Sequence, residues 1–200
     1  MLSRRWVLLG CLVPGAVAAQ EGPAAPIAGL NAALQQVMKA GRGAAFAARA
    51  ATLRPAVERA FDLPAILAAS VGPRFAAFSE AAKAELLEAF TAFTVATWVA
   101  NFDADGGERF ELAAETRALG QDQVVTSRIV PRAGEATRLD FVMRQGTAGW
   151  KAVDILLNGT ISRVAVQRSD FRALVAGGDP APLLASLRNR AASLAAGAKP

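Results

Sequence analysis

The spacing of apolar residues changes at the turn-forming cluster of residues 103–107. Before this cluster, apolar residues recur at the three- and four-residue intervals of amphipathic helices. After it they alternate with polar residues, as in half-buried strands, until helical spacing returns near Ser162. Each of these segments needs another layer to cover its apolar face. The sequence therefore predicts an α+β fold, with helices first, strands next and helices last.

Four helices are predicted before the change of spacing. The first stops before Gly41, and the second covers residues 44–61. This second helix should bend or restart at Pro55, because proline cannot donate a backbone hydrogen bond. A short third helix opens at Pro64, and the fourth begins at the N-cap Ser79.

The second half of the fourth helix, residues 89–102, contains no charged residue. Its large apolar side chains, such as Phe90 and Trp98, point in more than one direction. A helix that is apolar on several sides is buried on several sides or lines a cavity. The segment is shorter than the roughly 20 residues that span a bilayer. We therefore expect a buried helix here.

The strand pattern predicts a four-stranded antiparallel sheet with one buried face, joined by short loops that contain glycine. Two further helices follow, one from Ser162 and one after Asp179 and Pro180. The predicted strands lie near residues 110–115, 125–129, 138–144 and 150–157.

Residues 1–19 have the features of an export signal peptide. Arg4 and Arg5 precede an uncharged run that ends in small residues, where a signal peptidase cuts. The arginine pair also fits a twin-arginine signal. Cys11, the only cysteine, leaves open an alternative in which a lipid attached to it anchors the chain. We expect cleavage, which leaves residues 20–200 as a single domain between two membranes, without a disulfide.

The chain contains no His and no Tyr. This excludes histidine proton shuttles, the commonest transition-metal ligand and the Ser-His-Asp and Cys-His arrangements, so no metal site is expected. The formal net charge is +5, and the arginines are dispersed and not interleaved with stacking aromatics. We therefore expect no nucleic-acid partner. A mild basic excess favours proximity to anionic lipid headgroups.

Asp154 is the residue that the sequence offers for catalysis. It lies within an apolar predicted strand, where a carboxylate could act as a general base. The alternative is structural, because alternation along the strand directs Asp154 away from Val153 and Ile155. It would then pair with an arginine or cap a neighbouring backbone. The two-residue spacing favours this structural role.

Three motifs occur together near the C-terminus. A Gly-Trp-Lys-x-x-Asp strand at residues 149–154 is followed by Gly-Thr-Ile-Ser at 159–162 and Gln-Arg-Ser-Asp-Phe at 167–171. Upstream, Phe-Asp at 61–62 and Val-Gly at 71–72 precede the uncharged helix. In these motifs and their order, the chain resembles the MlaC-like family of bacterial periplasmic lipid carriers, which includes toluene-tolerance proteins. The motifs at 159–162 and 167–171 are more similar to its hopanoid-associated HpnM branch.

The resemblance implies an NTF2-like cone in which a curved sheet wraps an apolar cavity. It also implies a periplasmic monomer that shuttles a phospholipid, or a hopanoid-type lipid, without catalysis and with no cofactor besides the bound lipid. The implied partners are the lipid-binding ring of an inner-membrane ABC transporter and an outer-membrane lipoprotein complex. Two alternatives stay open: an NTF2-like enzyme that uses Asp154, and a ligand-free envelope assembly factor.

The candidate lipid-binding residues are the large apolar side chains of the predicted elements, since acyl chains need a dry cavity and few polar contacts. A closed core would have the same composition. The lipid headgroup is expected at the mouth, beside an arginine or lysine. The candidates are Phe46, Phe61, Ile66, Leu67, Val71, Phe75, Leu87, Phe90, Trp98 and Phe102 on helices, with Ile129, Phe141, Val153 and Ile155 on the sheet.

Overall fold

The computed structural model describes residues 22–198. The predicted signal peptide and Cys11 lie outside these residues. Four helices come first, and a 3-10 turn at Pro73–Ala77 separates the third from the fourth. The four are α1 (Ala25–Ala40), α2 (Phe46–Ala60), α3 (Leu63–Val71) and α4 (Glu80–Asn101).

An antiparallel sheet follows, and two helices close the described part of the chain. The strands are β1 (Arg109–Leu112), β2 (Arg117–Leu119), β3 (Asp122–Val130), β4 (Thr137–Gly146), β5 (Gly149–Leu157) and β6 (Ile161–Ser162). The last helices are α5 (Arg163–Arg172) and α6 (Ala181–Ala195). The strand order is β1-β3-β4-β5-β6, with β2 also paired to β3. The predicted α+β class and order of layers are confirmed.

The sheet has six strands where four were predicted. The predicted first strand, near residues 110–115, corresponds to β1, and β2 follows it beyond the predicted range. The two pair with different parts of β3: Arg109 lies opposite Val130, and Arg117 lies opposite Val124. Ile161 and Ser162, expected at a helix start, form β6 against the end of β5. Both additions are very short, so alternation over a few residues could not separate them from their neighbours.

Helix α2 does not restart at Pro55, which lies inside it. Proline removes the hydrogen bond to the carbonyl of residue 51, so a break was expected. Pro55 and Ala51 are both exposed. Water can therefore hydrate the freed carbonyl, and the helix continues.

Helix α4 is the centre of the helical layer, since it contacts α1, α2, α3 and α6. Its N-cap is the predicted one, because the Ala82 N–H donates to Ser79 Oγ over 3.2 Å. The junction of α2 and α3 attaches this layer to the sheet: the Asp62 N–H donates to the Ala152 carbonyl over 2.9 Å. None of the helices within residues 22–198 is long and apolar enough to cross a membrane.

A buried carboxylate stabilises the middle of the sheet. Asp140 on β4 is 0% exposed, and it accepts hydrogen bonds from Thr126 Oγ1 at 2.7 Å and from Arg138 Nε and Nη2 at 2.8 and 2.7 Å. Burial by itself raises the pKa of Asp140. The hydrogen bonds from Arg138 and Thr126 and the positive charges of Arg138 and Arg117 outweigh this effect and lower it. The carboxylate is therefore stabilised in its charged form.

Replacing Asp140 with Asn should reduce the free energy of unfolding at pH 7 by about 1.5–3 kcal/mol, because charge-assisted hydrogen bonds are lost. The folded-state pKa is the lower one, so the contribution is complete above the unfolded value of about 3.9. It disappears as pH falls through the folded-state value. Urea unfolding across this pH range should show the wild type and Asp140→Asn converging in acid.

Asp122→Asn is the matched control. It removes a bidentate pair with Arg144 on the same sheet, but the Arg144 side chain is 58% exposed. Exposed ion pairs contribute about 0.2–1 kcal/mol, so its loss should be smaller. An Asp140→Asn effect that is equally large at pH 7 and in acid would contradict the assignment.

Candidate functional site

A cavity of about 390 Å³ lies between helix α4 and the sheet, and residues of α3 and α5 complete its wall. Most of its lining is aromatic or aliphatic. The apolar lining residues are Phe61, Leu63, Ile66, Phe90, Phe93, Trp98, Phe102, Ile129, Leu139, Ile155, Leu157, Ile161, Val164 and Val166, and the polar ones are Thr94, Thr97, Asn101, Asp154, Arg163 and Gln167.

One face of α4 forms the longest part of the wall. Phe90, Thr94, Thr97, Trp98 and Asn101 all line the cavity, and their spacing places them on one side of a helix. Thr97 Oγ1 donates to the carbonyl of residue 93 over 2.8 Å, and Asn101 Nδ2 donates to the Thr97 carbonyl over 2.9 Å. Thr97 and Asn101 thus bond to their own helix, whereas the buried Thr94 Oγ1 has no partner among the described residues. Apart from the Thr94 hydroxyl, this wall offers a ligand mainly apolar contact.

A row of aromatic rings joins α4 to the sheet. The ring of Trp98 lies 6.0 Å from that of Phe61 and is stacked on Phe102 at 5.7 Å. Phe102 in turn lies 5.4 Å from Phe110 on β1. Aromatic pairs at these separations contribute about 0.5–1.5 kcal/mol each beyond their burial. The row therefore gives the cavity a firm aromatic side.

The mouth of the cavity is apolar and exposed. Leu157, Ile161 and Val166 are 40%, 53% and 39% exposed, and all three line the cavity. They lie at the end of β5, on β6 and in the first turn of α5. Arg163, also a lining residue, is exposed in the same segment. The opening thus combines exposed apolar surface with a positive charge.

Asp154 is bonded to the start of α5. Its Oδ1 accepts from the backbone N–H groups of Ile155 at 2.7 Å and Val164 at 3.1 Å, and its Oδ2 accepts from Ser162 Oγ at 2.5 Å. Ser162 Oγ, the N-cap, accepts from the Ala165 N–H at 3.0 Å. A carboxylate here also interacts favourably with the positive end of the helix dipole. These contacts correspond to the backbone-capping alternative, and they occupy both carboxylate oxygens.

Comparisons with known proteins show the family of the chain and a solved structure with the same fold. The family model of the MlaC protein matches residues 30–189. The chain belongs to the MlaC family. Among solved structures, the phospholipid-binding protein from Ralstonia solanacearum, solved in complex with a phospholipid, has the same fold at a TM-score of 0.75. The match covers 88% of this chain and 99% of that chain at 18% sequence identity. No curated protein matches the sequence.

In this MlaC-family fold, seven of the fourteen candidate lipid-binding residues line the cavity and seven do not. Contact with a lipid stays a prediction for all fourteen. Those in the wall are Phe61, Ile66, Phe90, Trp98, Phe102, Ile129 and Ile155. The others are Phe46, Leu67, Val71, Phe75, Leu87, Phe141 and Val153.

A β-bulge explains why Val153 is absent from the wall. Met143 lies opposite Ala152 and Val142 lies opposite Asp154, which leaves Val153 without a partner on β4. An extra residue disrupts the alternation of faces along a strand. Val153 and Ile155, expected on one face, are therefore not equivalent. Val153 therefore lies outside the cavity wall, and its contact with a lipid stays a prediction.

The remaining six residues pack elsewhere. Leu67, Val71 and Phe141 are buried in the core, and Leu87 packs against it. Phe46 and Phe75 are partly buried, and each has a cationic side chain over its ring, Arg49 and Lys83 respectively. Apolar character alone does not distinguish these positions from the cavity wall.

Several wall residues were missed. Leu139 and Leu157 lie two residues from Phe141 and Ile155, so the strand period could have indicated them. Thr94 and Thr97 lie at helical spacing from Phe90, but they were not predicted because only large apolar residues were considered. Gln167 and the other α5 residues of the wall could be identified only from the fold. In the fold, Gln167 Oε1 accepts a hydrogen bond from Ser70 Oγ at 3.0 Å.

Removing the Asp154 carboxylate should loosen the start of α5. Asp154→Ala is expected to reduce the free energy of unfolding by about 0.5–2 kcal/mol, the usual range for a lost helix cap. Urea denaturation followed by circular dichroism measures this. Asp170→Ala, on the same helix, is the control, because the Asp170 carboxylate makes only an exposed contact with Arg190 at 3.6 Å. Equal stability of the wild type and Asp154→Ala would contradict the capping role.

Proposed function

We propose that this protein binds a lipid by its acyl chains in the cavity and carries it without chemical change. The observation behind the proposal is the apolar cavity of about 390 Å³ that opens at an apolar mouth. Its volume lies in the range of small-molecule sites, about 300–1,000 Å³. Family membership and the phospholipid-bound structural relative support the same reading.

The energetics favour an acyl chain as the occupant. Each buried CH₂ group gains about 0.8 kcal/mol on leaving water, with no need for directional contacts. An unfilled apolar cavity costs stability, because its lining side chains lack packing partners. A chain that enters through the Leu157 and Ile161 side of the mouth remains in apolar surroundings along its path. The site thus suits tails better than polar metabolites.

In this proposal the protein acts in the periplasm after cleavage of its signal peptide. It shuttles a phospholipid or a hopanoid-type lipid, as a monomer, between the lipid-binding ring of an inner-membrane ABC transporter and an outer-membrane lipoprotein complex. Transfer occurs by docking and exchange. The resemblance of the motifs and the membership of the MlaC family support this role.

The non-catalytic reading is supported by the environment of Asp154. Three donors occupy its two oxygens, so it would have to abandon a helix cap to act as a base. Among residues 22–198, no group of three or more Asp, Glu, His or Cys side chains is placed to hold a metal ion. Asp154 does line the cavity together with Ile155, contrary to the alternation expected along the strand, but its oxygens are bonded to the start of α5.

Native mass spectrometry of the mature protein purified without detergent, followed by lipid extraction, tests the proposal. We expect a co-purified lipid whose class separates the phospholipid from the hopanoid cargo. A protein that carries no lipid, and takes none up from phospholipid vesicles, would refute the carrier function. That outcome would favour the assembly-factor alternative.

Filling the cavity should displace the cargo. Thr97→Trp places an indole at the α4 wall and should remove most of the bound lipid, because the ring occupies volume that an acyl chain needs. The control is Thr52→Trp, since Thr52 is exposed on α2 and its hydroxyl also donates to a carbonyl of its own helix. Extracted lipid per protein measures both. Full lipid occupancy in a folded Thr97→Trp would contradict the assignment of the cavity.

A further inference from the structure

A second cavity, of about 490 Å³, adjoins the first between α4 and α6. Phe93, Thr97 and Arg163 line both cavities, so the two meet at these residues. We call the second cavity the polar annex. Unlike the first, it presents polar side chains on α6, namely Ser186, Asn189, Arg190 and Ser193.

The polar side of the annex is one face of a helix. Residues 186, 189, 190 and 193 recur at three- and four-residue intervals, which places them along a single stripe of α6. The buried stripe of the same helix contains Leu183, Leu187 and Leu194, of which Leu194 also lines the annex. The annex is therefore a second face of α6, with its own chemistry, next to the face that packs in the core.

The positive charge in the annex is only partly neutralised. Arg163 has no carboxylate within ion-pair distance among residues 22–198. Arg190 contacts Asp170 at 3.6 Å, and both side chains are close to half exposed. An exposed pair of this kind contributes little and can be exchanged for a better anion. The annex therefore has donors available for an anionic group.

We propose that the annex binds the phosphate of a phosphodiester headgroup whose acyl chains occupy the apolar cavity. Arg163 and Arg190 donate to the phosphate oxygens, since guanidinium groups match phosphate geometry. Asn189 and the serines of α6 are the neutral donors. The inference rests on the proposed function and narrows its cargo: a hopanoid-type lipid without phosphate would leave Arg163 without an anion and Arg190 with only its exposed contact to Asp170.

The test uses delipidated protein and mixed vesicles that contain phosphatidylglycerol and a diacylglycerol with the same chains. Bound lipid is extracted, and the ratio of the two lipids is measured. The wild type should favour phosphatidylglycerol, and Arg163→Gln with Arg190→Gln should reduce this ratio at least about tenfold, because losing even one charge-assisted hydrogen bond has an effect of that size. Arg163→Lys with Arg190→Lys should retain part of the preference.

Arg172→Gln on α5 and Arg188→Gln on α6 are the controls, because neither residue lines either cavity. A ratio that is unchanged in the double Gln variant, or that falls equally in the controls, would overturn the inference. Equal uptake of both lipids by the wild type would overturn the inference but leave the proposed function. Uptake of neither lipid would overturn both.

Titration with free phosphate compounds tests whether the ligand of the annex is a lipid headgroup or a soluble anion. Calorimetric titration with inorganic phosphate and with glycerol 3-phosphate should show much weaker binding than phosphatidylglycerol, because most of the affinity comes from chains in the apolar cavity. Binding of glycerol 3-phosphate as tight as that of the lipid would show that the annex serves a soluble anion, and would overturn the lipid assignment.

Discussion

The separation between α4 and the sheet is the constraint on which the rest of the structure depends. Other helices cover one side of α4, and a row of rings from Phe61 through Trp98 and Phe102 to Phe110 joins its opposite side to β1. Aromatic rings are large and rigid, and Phe61, Trp98 and Phe102 of this row all line the cavity. The space beside the row remains open and becomes the cavity.

Helix α5 closes that space, and hydrogen bonds position it. Asp154 and Ser162 cap its first turn, Gln167 bonds to Ser70, and the Arg168 guanidinium donates twice to the Ala69 carbonyl, at 2.9 and 2.7 Å. The polar side chains of Asp154, Ser162 and Gln167 thus stabilise the fold. In the proposed carrier, the cavity interior is therefore available to acyl chains. A positive charge that has no ion-pair partner among the described residues lies at Arg163, where the two cavities meet.

The candidate site could be predicted only in part. Phe90 and Trp98 were accessible because an uncharged helix with apolar residues on several sides must be enclosed. The position of Val153 outside the cavity wall could not be predicted, because a bulge depends on the register with β4 and does not show in the local alternation of residues. The sequence predicted an arginine or lysine near the mouth, but it could not show that this residue is Arg163. The distance of Arg163 from every carboxylate depends on the tertiary structure.

The sequence by itself determined the order of helices and strands, the cap at Ser79 and the family, since periodicity, capping and ordered motifs are local properties of the chain. Only the tertiary structure decided between a cavity and a closed core. The same apolar residues suit both, and the outcome depends on how closely α4 approaches the sheet. The tertiary structure also decided the structural role of Asp154, because the N–H of Val164 reaches that carboxylate only when α5 folds back against β5.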